Sequence, residues 1–227
     1  MKNVSLLFLL FGFLPLPAVA QPTGVLDSTF HHDGIVQMKI QGQITCFLSV
    51  RIQPDDKSVA FGYYAEDAFD YRAVVARFLT NGELDPSFSS DGLVIVKDVD
   101  GILLDGQLLP DGKILAAVLN RDNGRIALLR LLPNGAPDME FGLNGIAESD
   151  LCLYVTLVSK IVIKPDGKML VLGQFFNFNS PLYDKNFVAQ YLPDGSPDGG
   201  YGTGGVTVIA APDGDPRIAL NDCALQA

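Results

Sequence analysis

The sequence predicts an all-β protein, a β-propeller-like array of four-stranded antiparallel blades that forms an incomplete ring in this chain. Three observations carry the prediction: a turn sequence that recurs along the chain, a second landmark that recurs in step with it, and short β-branched and aromatic runs between the two. The turn is Gln53-Pro54-Asp55-Asp56-Lys57, which returns as Leu109-Pro110-Asp111-Gly112-Lys113 and as Lys164-Pro165-Asp166-Gly167-Lys168, with prolines 56 and 55 residues apart. The second landmark is Asn81-Gly82-Glu83-Leu84-Asp85-Pro86-Ser87-Phe88 followed by Asp91-Gly92. It returns as Asn134 to Phe141 with Asn144-Gly145, and as Asp194 to Tyr201 with Gly204-Gly205. Its second half also stands near the start, as Leu26-Asp27-Ser28-Thr29-Phe30 with Asp33-Gly34, so the closing aromatics are spaced by 58, 53 and 60 residues. Self-similarity at a fixed period marks a repeat architecture.

Taken in order, residues 1–20 read as a signal peptide. Lys2 supplies the positive start, Val4 to Leu16 the apolar stretch, and Ala18-Val19-Ala20 the small residues before a cleavage site after Ala20. The apolar run is short for a membrane span and is interrupted by Pro15 and Pro17, and no later segment is apolar enough to cross a bilayer. No Cys follows the cleavage site, which argues against a lipid-anchored lipoprotein.

Residues 21–227 are then repeats. About 25–40 reads as a closing strand, about 43–210 as three blades, and about 216–227 as the first strand of a further blade. Within the first unit, strands are expected at Phe47 to Ile52, Ser58 to Tyr63, Ala73 to Leu79 and Leu93 to Lys97. Each is rich in β-branched and aromatic residues and bounded by Gly, Pro, Asn or Asp. In the Pro-Asp-Gly turn, proline presets φ and glycine takes the left-handed conformation that restores pairing. A lone four-stranded meander cannot bury both its faces, so copies must stack, and radial stacking makes a propeller. Three blades and a strand fall short of the usual four to eight, and the sequence stops about one residue before a turn is due. A C-terminally incomplete protein is the expectation, with ring closure by oligomerisation as the alternative.

Composition narrows the partners. Lys and Arg total 16 against 26 Asp and Glu, a net charge of −10, with no basic cluster. Nucleic acid, which is bound largely through Lys and Arg on phosphates, is excluded as a partner class, and an anionic membrane surface is disfavoured. Three cysteines, Cys46, Cys152 and Cys223, make no disulfide framework and no metal spacing.

These landmarks resemble the delta-60 repeat family of bacterial secreted proteins: an apolar strand, Pro-Asp-Gly-Lys, a second strand, then Asn/Asp-Gly-x-Leu-Asp-x-x-Phe and a closing Gly. The resemblance runs from about Val25 to the end. It departs from the pattern at Asp56 for Gly, Tyr201 for Phe, and Pro137 and Pro197 for Leu. It implies a propeller-like, surface-associated protein and brings no catalytic motif.

Alternate turns of a meander lie on opposite rims, so the two repeated landmarks share one rim, which reads as scaffold. The other rim carries loops that vary between copies, where binding residues usually sit. Its aromatics and polar groups give the candidate ligand-binding residues Tyr63, Tyr64, Glu66, Asp67, Asp70, Arg121, Asp122, Phe175, Phe176, Asn177, Asn179 and Tyr183. Rings beside carboxylates and amides suit a glycan or a protein surface. Asp98-Val99-Asp100-Gly101 with Asp105, and Asp213-Gly214-Asp215 with Asp222, loosely resemble calcium loops but lack the full ligand spacing, so no cofactor is assigned. His31 and His32, the only histidines, fall in the slot of Ser89-Ser90, a variable turn. Arg77 and Arg130, with Gln190 in the third copy, recur in place, which favours an inter-blade hydrogen bond over catalysis. With no nucleophile elbow, zinc-ligand pair or phosphate loop, no catalytic residue is assigned. The reading is an exported, non-catalytic module, extracellular, at the cell surface or in the periplasm, that binds protein or glycan. Its alternatives are a polysaccharide hydrolase or lyase with acids from several blades, and a purely structural surface repeat.

Overall fold

A computed structural model describes residues 25–65, 70–149, 154–176 and 184–209. The stretch 1–20 read as a signal peptide, Cys152, Cys223, the Asp213–Asp222 loop and the strand expected at 216–227 lie outside the described residues. Twelve strands appear in the described part: β1 Lys39–Ile40, β2 Gln43–Ile52, β3 Ser58–Ala65, β4 Tyr71–Phe78, β5 Leu93–Leu108, β6 Ile114–Asn120, β7 Arg125–Leu131, β8 Ile146–Glu148, β9 Tyr154–Ile163, β10 Met169–Phe176, β11 Asp184–Tyr191 and β12 Val206–Ile209. Every pairing is antiparallel and between sequence neighbours. Three meanders result, β2–β5, β5–β8 and β9–β12, so the fold is all-β and propeller-like, and the described blades form an open arc.

The first three strands of the first blade fall within a few residues of expectation. The fourth does not end at Lys97. β5 runs to Leu108, its first half paired with β4 and its second half, from Gly101, with β6. It thus serves as the last strand of one blade and the first of the next. Asp98 to Gly101, read from sequence as a calcium-like loop, is extended chain, held by the pairing of Asp100 with Arg72 and of Gly101 with Asn120. Of the expected closing segment only Lys39–Ile40 is strand, turning through Gln41-Gly42 into β2.

The turns behave as their sequence requires. Gly112 and Gly167 take φ of 82° and 81°, and Asp56, which replaces glycine in the first copy, takes 61°. Aspartate enters this left-handed region more readily than most residues, which is why the replacement leaves the turn intact.

The core lies between blades rather than within them. Val59, Phe61, Val75 and Phe88 of the first blade meet Leu103, Ala116, Val118 and Leu129 of the second. Leu115, Ala117, Leu128 and Phe141 of the second meet Ile161, Val171, Phe187 and Tyr191 of the third. Alternate residues of β6 therefore serve opposite interfaces, and its first five residues are all buried. Burying each large side chain contributes on the order of 1.5–3 kcal/mol. On the outer side of the first blade, Met38 and Ile40 cover Tyr64 and Val74, while Leu48, Val50 and Ile52 of β2 stay half or more exposed.

Candidate functional site

The recurring landmarks build one node per blade. In the first, the Asp85 carboxylate accepts from Arg77 Nε at 2.8 Å and from Lys57 Nζ at 3.1 Å, while Ser87 donates from its amide and hydroxyl. The guanidinium lies 4.7 Å from the Phe88 ring centre and crosses to the next blade, donating Nη1 to the carbonyl of Pro133 at 2.6 Å. The second blade repeats the arrangement with Asp138, Arg130, Lys113 and Phe141, Arg130 reaching the Pro193 carbonyl. In the third, Gln190 donates to Asp198 at 2.6 Å beside Lys168 at 2.8 Å. In the first two blades the node therefore ties the repeat together and, through its arginine, reaches the next blade. The Lys57–Asp85 contact also fixes both landmarks to one rim.

These carboxylates are held as anions. Burial alone would raise Asp85, but the Ser87 hydroxyl and amide, Lys57 and the charge of Arg77 outweigh it and hold the group far below the ordinary range. Asp138 is lowered by the same balance, burial being outweighed by Lys113, the Glu140 amide and Arg130. Lys168, Gln190 and the Gly200 amide draw Asp198 down to about 2. Near the third blade's core, burial pushes the Tyr191 phenol up to about 12, against the hydrogen bond from its hydroxyl to Ser149.

A second staple joins the innermost strands. Asp105 Oδ1 accepts from Arg51 at 2.6 Å and from the Ser49 hydroxyl at 2.8 Å, while Oδ2 accepts from the Ile161 amide at 2.9 Å. One carboxylate thus touches all three blades, and both its oxygens are engaged by protein donors, one of them the Arg51 guanidinium. Among the described residues no cluster of three or more His, Cys, Asp or Glu could hold a metal.

The candidate binding rim divides. Tyr64 and Phe175 are buried in the core at 2% and 8% exposure and offer no face to a ligand. Strand alternation explains Tyr64: it shares a sheet face with Ala60 and Gly62, which the segment around Met38 covers. Glu66, Asp67, Asn177, Asn179 and Tyr183 lie outside the described residues, and Phe176 ends β10. Tyr63 and Arg121 do meet at a residue absent from that set, Tyr71, which Asp70 precedes in the chain, while the Asp122 amide donates to Asn120 Oδ1 in its own turn. Tyr63 and Tyr71 sit with ring centres 5.4 Å apart, and the Arg121 guanidinium lies 4.2 Å over the Tyr71 ring from the neighbouring blade. Asp100 fixes the geometry, its carboxylate accepting from the Tyr71 amide and its carbonyl from the Arg121 amide. Asp70 pairs with Arg72 at 2.8 Å, and burial together with the Cys46 thiol raises the Tyr63 phenol. Arg121 and Tyr71 are fifty residues apart in sequence, so their stacking had no local signal.

His31 and His32 occupy a turn with φ of 47° and 66°, matching Ser89 and Ser90 at 51° and 71°. The His31 amide donates to the carbonyl of Asn81 as the Ser89 amide does to Asn134, which makes the turn a docking contact between units.

Three stretches, 53–88, 109–141 and 164–201, match the model of a family described as a domain of unknown function (DUF5122), beta-propeller. Each stretch runs from the Pro-Asp turn to the landmark's aromatic residue, spanning one node. The chain is built of β-propeller repeats. No curated protein and no solved structure matches it. Among the described residues of this propeller chain no helix is long and apolar enough to cross a membrane.

Proposed function

We infer that the chain is an exported, non-catalytic propeller of the delta-60 repeat type that binds protein or glycan at the cell surface or outside the cell. The observation that carries the reading is the Arg121–Tyr71–Tyr63 group. It is a cation stacked on a ring beside a second ring, spanning two blades on the rim whose loops vary. Export is supported by Lys2, the apolar stretch Val4 to Leu16 and Ala18-Val19-Ala20. A non-catalytic role is supported by the engagement of the buried carboxylates. Asp85 and Asp138 each face an arginine and a lysine, and Asp105 faces Arg51, so none is poised as a general acid.

The test is binding of the purified full chain to a glycan array and to intact bacterial cells, compared with Tyr63→Ala and with Arg121→Ala combined with Tyr71→Ala. Loss of about ten-fold or more in affinity, with unchanged thermal unfolding, supports the rim as the binding surface. Unchanged binding removes it and leaves a structural repeat. Turnover of a polysaccharide by the purified chain would replace the binding module with the hydrolase or lyase reading.

A further inference from the structure

The node that ties each blade together also occurs as a half. Asp27, Thr29 and Phe30 stand in the places of Asp85, Ser87 and Phe88, and Gly34 stands in that of Gly92, with φ of 83° against 87°. Thr29 donates its amide and hydroxyl to Asp27 Oδ1 at 2.9 and 2.6 Å, as Ser87 does to Asp85 Oδ1 at 2.9 and 2.7 Å. Phe30 rests on Gly82 of the first blade as Phe88 rests on Gly135 of the second and Phe141 on Gly195 of the third. The anionic half of a node is therefore built against the first blade.

In each complete node one residue of the third strand satisfies a fixed set of groups. The Arg77 amide donates to the Gly92 carbonyl, and the Arg77 carbonyl accepts from the Asp85 amide. Its Nε donates to Asp85 Oδ2 and its Nη1 to the Pro133 carbonyl, with the guanidinium over Phe88. Arg130 repeats all five contacts, and Gln190 repeats the three made within its own blade. The matching groups of the half-node are the Gly34 carbonyl, the Asp27 amide, Asp27 Oδ2, the Thr80 carbonyl and the Phe30 ring. No described residue hydrogen-bonds any of the four polar groups. Beside them Val36 is the counterpart of Val94, which pairs with Val75, yet Val36 pairs with no described strand.

We propose that the half-node is a docking slot for an arginine carried on an extended strand of another polypeptide. Small or β-branched apolar residues precede the arginine in that strand and pair antiparallel with Ile35 to Gln37, as Val74 to Ala76 pair with Leu93 to Ile95. The two backbone bonds set the direction of the strand, and Asp27 Oδ2 takes a guanidinium N–H in a charge-assisted bond. The Phe30 ring takes the face of the guanidinium and the Thr80 carbonyl its far end, a span that a single ammonium point charge does not cover. The three described blades have no such strand to lend, because Arg77 and Arg130 are engaged in their own nodes and the third position is Gln190. Outside the described residues the sequence has one arginine, Arg217, which follows the turn composition Asp213-Gly214-Asp215-Pro216 and not an apolar run. The slot uses neither Arg121 nor Tyr71, so it stands or fails independently of that site.

Fluorescence anisotropy on the purified full chain tests it, using a labelled peptide that copies Tyr71 to Thr80. A second peptide carries citrulline at the Arg77 position, which removes the charge and keeps the shape. The arginine peptide is expected to bind saturably below about millimolar concentration, and the citrulline peptide about ten-fold more weakly. Asp27→Asn in the protein is expected to cost the arginine peptide about ten-fold and the citrulline peptide less than about two-fold. Asp27 is exposed, so thermal unfolding of this variant should be unchanged. Should it unfold early, hydrogen exchange on the unaltered protein replaces it, the Val36 amide slowing about ten-fold or more at saturating peptide. No saturable binding at about millimolar peptide, equal affinity for the two peptides, an Asp27→Asn protein that binds both normally, or a Val36 amide indifferent to the peptide would each overturn the proposal. An oligomer of the chain that the peptide dissociates in sedimentation would overturn it in favour of a second copy.

Discussion

Arg77 and Asp85 form an ion pair inside the first blade, Nε to Oδ2 at 2.8 Å, with both side chains less than a tenth exposed. Desolvating two charges is costly, and a pair in this position holds only if the remaining donors and lone pairs are also satisfied. Here they are. Asp85 also receives Lys57 and Ser87, and Arg77 also donates to Ser87 and to the carbonyl of Pro133 in the next blade. The pair therefore links the fold of one repeat to its docking on the next.

Removing the guanidinium separates these roles. Arg77→Met leaves a buried carboxylate with one cation fewer and the Pro133 carbonyl without its donor, and is expected to destabilise by about 3–5 kcal/mol. Arg77→Gln is expected to cost clearly less, because Gln190 serves the same carboxylate position in the third blade at 2.6 Å. Urea midpoints of the two variants decide it. Equal losses would mean that the pairing with Asp85 is not what the arginine contributes.

Stability should fall on the acid side. Asp85, Asp138 and Asp198 all have folded pKa values below those of an unfolded aspartate, Asp198 at about 2. A depressed carboxylate contributes stability that is complete above the unfolded value, about 3.9, and is lost as pH drops through the folded one. Lys57 and Lys168 are raised, chiefly by hydrogen bonds to Asp85 and Asp198, so their contribution is complete below the ordinary lysine range and is lost above it. The melting temperature is therefore expected to be level from about pH 5 to about pH 9 and to drop from about pH 4 to about pH 2. Asp85→Asn should lower the plateau and flatten the acid limb. A melting temperature as high at about pH 2.5 as at neutrality would show that these pairs contribute nothing net.

The blade fold was legible because the repeat writes its turn chemistry three times. Pro54, Pro110 and Pro165 mark the tight turns, and Arg77 and Arg130 were readable as inter-blade contacts from position alone. What the sequence concealed were facts about which residues meet across blades. Asp98 to Gly101 has the local composition of a turn, yet its pairing with Arg72 on one side and Asn120 on the other draws it into β5. Tyr63 and Tyr64 look alike, but one-residue alternation sends Tyr64 into the core and leaves Tyr63 beside Tyr71. Aromatic character alone cannot separate them, because strands between stacked sheets are apolar on both faces.

Packing between blades also depends on one missing side chain. Gly106 faces the Phe61 ring, and a Cβ at position 106 would overlap its Cδ1, Cε1 and Cζ atoms. The corresponding residue is Val50 in the first blade, where the side chain is 55% exposed, and Ile161 in the third, where it is fully buried. Glycine at 106 is therefore not a backbone requirement; it is the hole into which Phe61 fits. Gly106→Ala is expected to destabilise by about 1–3 kcal/mol through overpacking, and Phe61→Leu by a comparable amount through the space it leaves. Combined, the two should cost clearly less than their sum, since the smaller side chain at 61 makes room for the methyl at 106. A double-mutant cycle in urea measures this directly. Strict additivity would mean that the first two blades do not meet through this contact.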